Sequence, residues 1–137
     1  MSATRIVFTA RTLGEYLMCD PRLQGILLYV AREWPPAEMI VGDIYRTEAE
    51  EVLAGGVSGI HRQPPQYRAI DVRVTNLPGD PQQAADAIGA RVNAQYVYDP
   101  ARPAKLVAFT APHGTGPHIH LQVCAATFHR PLRIAEV

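Results

Sequence analysis

The chain has 137 residues, enough for one domain whose core needs no disulfide or metal to hold it together. Its 13 Lys and Arg balance its 13 Asp and Glu, which excludes a broad basic surface of the kind that grips a nucleic-acid backbone. No apolar run approaches the ~20 residues of a membrane span, and the run 6–10 is too short for a secretory h-region. The pattern therefore predicts a single domain over 1–137 with no signal peptide and no nucleic-acid or membrane partner. Cys19 and Cys124 stand far apart, with no CxxC pair, and read as free thiols.

Taken in chain order, residues 5–9 predict a strand and 11–18 a helix. Asp20 then caps a second helix with Pro21 in its first turn, and Leu23, Ile26, Leu27, Val30 and Trp34 form one apolar stripe. A strand is predicted at 39–45. Thr47-Glu48-Ala49-Glu50 has the form of a capping box and opens a short helix that Gly55-Gly56 ends. In 68–74 the alternation puts Ile70, Val72 and Val74 on one face, Asp71 and Arg73 on the other. Asp80-Pro81 repeats the cap logic for a helix with Ala85, Ile88, Val92 and Tyr96 at helical spacing. Strands at 105–111 and 118–124 complete the set. Half-buried alternation suits an antiparallel sheet covered on one side. The expected class is α+β, a mostly antiparallel sheet with helices on one face and the other face left for a site.

The chemistry concentrates in Gly116-Pro117-His118-Ile119-His120-Leu121-Gln122-Val123. On a strand, His118, His120 and Gln122 share one face while Ile119, Leu121 and Val123 turn to the core. Asp71 occupies the corresponding face of its own strand, and His61 lies in the turn-rich segment that leads into it. Two imidazole nitrogens, a carboxylate oxygen and a water make a catalytic rather than a structural zinc set, so the open face is expected to be a zinc cleft. Cys124 would share the face of His118 and His120, as packing at the strand end rather than as a ligand. Tyr67, Tyr96 and Tyr98 are read as core packing, and His129 as surface.

Ser58-x-x-His61, Ala69-Ile70-Asp71-Val72-Arg73 and His118-x-His120, in this order, resemble the zinc D-alanyl-D-alanine carboxypeptidases and L-alanyl-D-glutamate endopeptidases of cell-wall metabolism. Phage endolysins of that group are similar in size, and the wider superfamily includes lysostaphin-type peptidases and the hedgehog domain. The resemblance spans about 41–123 and implies His61, Asp71 and His120 as zinc ligands. Tyr45-Arg46-Thr47 resembles the family's substrate-binding turn, which gives Arg46 the role of binding substrate or stabilising the oxyanion. Ser58 is a turn residue or a hydrogen-bond donor to the substrate. Nine residues separate His61 from Asp71, a longer loop than the family's. Pro117 stands where the carboxypeptidases place a Glu base, so the base falls to His118, with His113 as the second candidate.

The activity this implies is a zinc metallopeptidase, phage-related, that hydrolyses peptidoglycan stem-peptide bonds involving D-amino acids. It would be cytoplasmic in the producing cell or virion-associated, and would act on the cell wall. The alternative is a zinc-binding virion module of the same fold with little or no catalysis, partnered by virion components.

Overall fold

The computed structural model describes residues 5–34, 38–44, 68–74, 77, 79–111 and 118–130. The described elements are β1 (Arg5–Val7), α1 (Ala10–Leu17), α2 (Pro21–Glu33), β2 (Glu38–Asp43), β3 (Ala69–Arg73), α3 (Pro81–Gln95), β4 (Tyr96–Val97), β5 (Ala108–Ala111), β6 (His118–Gln122) and β7 (Phe128–His129). The class is α+β: three helices, a five-stranded sheet and a two-stranded one. None of the described helices is long and apolar enough to cross a membrane.

The helix starts follow from their caps. Asp20 Oδ1 accepts from Arg22 N at 2.9 Å, and Asp80 Oδ1 from Gln82 N at 3.0 Å, each with Pro at the next position. A cap of this type contributes about 1 kcal/mol, and Pro there forfeits no helical hydrogen bond. Gly79, with φ of 83°, makes the turn that delivers Asp80. The first helix has a capping box that its sequence did not announce, because Thr12 replaces the usual Glu or Gln and returns the bond to Thr9 N at 2.8 Å.

The large sheet has the order β1-β2-β3-β6-β5. It is mixed: β1 and β2 are parallel, while β2–β3, β3–β6 and β5–β6 are antiparallel. The parallel pair arises because α1 and α2 lie between its strands, and a parallel return needs such a crossover. The core forms where α2 and α3 meet the sheet, with Leu23, Ile26, Leu27 and Val30 from α2 and Ile88 and Val92 from α3 buried against Val41, Ile70, Val72, Ile119 and Leu121. Each such side chain contributes roughly 1.5–3 kcal/mol of burial. Trp34, the last residue of the expected stripe, serves instead as the C-cap and is only half-buried.

Strand lengths differ from the alternation. Residues 105–107 precede β5 because Lys105 N closes a turn onto Arg102 O. The last strand of the sheet ends at Gln122, since residues 124–127 turn, with Thr127 N bonded to Cys124 O. Cys124 therefore does not continue the His118 and His120 face; its Sγ–H donates to the Tyr98 carbonyl at 3.2 Å. Both cysteines are free. Burial, and then the carboxylates of Glu15 and Asp20, push the Cys19 thiol up to about 12, so it stays neutral. Tyr98 is core as expected. Tyr96 is half-buried and stands edge-on to the exposed His129 at 4.8 Å between ring centroids. The short helix expected after Thr47 lies outside the described residues, as does Tyr67.

Candidate metal centre

The strands β3 and β6 lie side by side in the interior of the sheet. Their register sets Asp71 directly opposite His120, and Arg73 opposite His118. Because Ile70, Val72, Ile119 and Leu121 take the core face, alternation leaves Asp71, His118, His120 and Gln122 together on the other. Residues opposed in this way have Cβ atoms about 5 Å apart, close enough for short side chains to bond directly.

Asp71, His120 and Gln122 are only 4%, 8% and 6% exposed. A carboxylate so enclosed is costly unless hydrogen-bond donors or a positive charge meet it. Asp71 Oδ1 lies 2.9 Å from His120 Nδ1, and Oδ2 lies 3.7 Å from His118 Nε2.

Each ring nitrogen of His120 faces an acceptor. Gln122 Nε2 donates to the Leu106 carbonyl at 2.8 Å, which turns Oε1 toward His120 Nε2, 3.3 Å away. An amide oxygen and a carboxylate oxygen both only accept, so a proton on Nδ1 serves Asp71 at 2.9 Å and a proton on Nε2 serves Gln122 at 3.3 Å. With the proton on Nδ1 the pair is a direct hydrogen bond; with it on Nε2, the Nδ1 lone pair would face the carboxylate and a cation could join the two atoms.

The pair fits zinc. Bonds of ~2.0–2.2 Å at a tetrahedral angle put two ligand atoms ~3.4 Å apart, so an opening of ~0.5 Å would admit the ion. A ring N–H held by an outer oxygen is also the usual device for orienting a ligating imidazole. Phe109, the register partner of His120 on β5, stacks on its ring with centroids 4.6 Å apart and restricts its rotation. Asn93 of α3 holds β5 in place by bonding both the N–H and the carbonyl of Ala108, at 3.0 and 2.8 Å.

Of the predicted site residues the structure brings Asp71, His118 and His120 together. His61, Arg46, Ser58 and His113 lie outside the described residues. Among the described residues no group of three His, Cys, Asp or Glu side chains is arranged to hold a metal, and the face expected to be an open zinc cleft carries the buried Asp71, His120 and Gln122 instead. Two supports of His120 escaped the sequence reading. Alternation placed Gln122 on the right face, but its role depends on a carbonyl 16 positions away, and Phe109 needed the β5–β6 register. A separate groove of about 850 Å³, on the helix side by Tyr29, Arg91, Tyr96 and His129, includes none of these residues.

No family model, no curated protein and no solved structure matches the chain.

Proposed function

We propose that the protein is a zinc-dependent peptidase that hydrolyses peptidoglycan stem-peptide bonds involving D-amino acids. The observation that carries this reading is a buried carboxylate, Asp71, with Oδ1 2.9 Å from His120 Nδ1 and Oδ2 3.7 Å from His118 Nε2. Asp71 Oδ1 and His120 Nδ1 would hold the ion, with His61 the third donor that the family resemblance supplies. Zinc bound there would polarise the scissile carbonyl and lower the pKa of a water toward ~7.

The other residues position and move protons. His118, with Nε2 on the same side as Asp71 Oδ2, takes the proton of the attacking water and returns it to the leaving amine, with His113 as the second candidate. Arg46 stabilises the developing oxyanion, and Ser58 donates to the substrate. The choice of stem peptides rests on the order of the Ser58/His61, Asp71 and His118/His120 motifs.

Digestion of purified peptidoglycan by zinc-loaded and chelated protein, followed by mass spectrometry of the released peptides, tests the reading. New termini at D-amino-acid bonds are expected only with zinc. Absence of new termini despite stoichiometric zinc would favour the zinc-binding virion module instead. Gln122→Leu, which keeps the side-chain volume but removes the acceptor, is expected to weaken zinc binding by ~10–100-fold in a chelator competition while the fold is kept.

A further inference from the structure

We propose that Arg73 binds a free carboxylate of the substrate one residue from the scissile bond, an inference that rests on the hydrolytic reading of the Asp71 and His120 site. Arg73 follows Asp71 by two positions on β3, on the same face, and is the register partner of His118. Two residues of strand separate their Cα atoms by about 7 Å.

The side chain does not run out past the end of the strand. Its Cγ and Nε lie 3.8 and 3.7 Å from where a Cβ would stand on Gly42, and the Asp71 carbonyl lies 3.7 Å from the same point. Gly42 sits where the β2–β3 register shifts, between Val41 opposite Val72 and Asp43 opposite Asp71. Arg73 therefore lies over a bare stretch of β2, on the side of Asp71 away from His120. The bulge and the missing side chain at Gly42 leave the surface over which the arginine lies.

Asp71, the nearest described carboxylate on its own strand, is engaged by His120 and His118. None of the ion pairs among the described residues uses Arg73, and the residue is exposed. An exposed guanidinium beside a site where a peptide carbonyl must bind suits a carboxylate, which its planar fork grips by two parallel bonds. One peptide residue spans ~3.5 Å, so a carboxylate one residue from the scissile carbonyl falls within reach of the side chain. It can be the C-terminal carboxylate of the peptide or a branch carboxylate beside the cleaved bond.

The test uses synthetic stem peptides in which each of these two carboxylates is free or amidated, with the wild type, Arg73→Gln and Arg73→Lys. Amidation of the recognised carboxylate is expected to raise KM of the wild type by ~10-fold, more than it lowers kcat, and to leave Arg73→Gln indifferent. Arg73→Lys should recover part of the preference, and zinc content should match the wild type in both variants. Whichever amide produces the effect identifies the source of the carboxylate. An unchanged acid-to-amide ratio in Arg73→Gln would overturn the proposal. If the wild type cuts no stem peptide, the hydrolytic reading fails on its own. The same peptides titrated into the protein and followed by NMR then still decide Arg73, by loss or retention of the preference for the acid in Arg73→Gln.

Discussion

His120→Ala is expected to abolish stoichiometric zinc binding and, with it, lysis of purified cell wall. The substitution removes the Nδ1 ligand, leaving His118 Nε2, 3.7 Å from Asp71 Oδ2, as the nearest described imidazole. It also leaves three groups that were built around the ring. Asp71 Oδ1 loses its partner at 2.9 Å, Gln122 Oε1 loses its neighbour at 3.3 Å, and Phe109 loses the ring on which it stacks. Removing one partner of a buried charge destabilises the fold, so stability must be followed together with metal content. His120→Gln, which fills the space and keeps a polar end, separates the two effects. It should restore much of the melting temperature and none of the zinc. Zinc content measured on protein purified without a His tag, with circular dichroism as the check on folding, reads both. Full lytic activity in a folded His120→Ala protein would end the hydrolase reading.

Asp71→Asn is the second large effect. The amide is nearly isosteric with the carboxylate, so the 4% exposure of Asp71 and the packing of Ile70 and Val72 behind it need not change. What changes is the charge. A neutral amide is a poor ligand for a hard dication, and its NH2 group would offer a donor to a ring nitrogen that must stay free to bind metal. The loss of zinc affinity should exceed the ~10–100-fold typical of an outer-shell partner and therefore exceed that of Gln122→Leu. Competition with a chromophoric chelator measures the two variants on one scale. Equal effects, or a larger one for Gln122→Leu, would show that Asp71 is held by hydrogen bonding alone.

These effects turn on features of different legibility. The core faces of β3 and β6 could be read from the apolar alternation of Ile70, Val72, Ile119 and Leu121, but the opposite face, expected to be open, is buried as well at Asp71, His120 and Gln122. The Asp20 and Asp80 caps were legible because a local residue meets a local chemical need. The pairing of Asp71 with His120 was not, since it depends on which strands are neighbours and in what register. Its geometry could only be anticipated through the order of the motifs. The β1–β2 parallel pair, the bulge at Gly42 and the two-residue strands β4 and β7 left no periodic signal, either because they are too short or because their partners are remote. Cys124 was placed on the histidine face by extending the alternation past Gln122, where the Cys124–Thr127 turn has already stopped the strand.

The most direct measurement is the nitrogen-15 spectrum of the His120 ring, recorded with and without zinc. The account predicts that zinc leaves the ring proton on Nε2, held toward Gln122, and shifts Nδ1 to the position of a coordinated nitrogen. A ring that keeps protons on both nitrogens, unmoved by stoichiometric zinc, would mean that Asp71 and His120 form an ion pair and not a metal site.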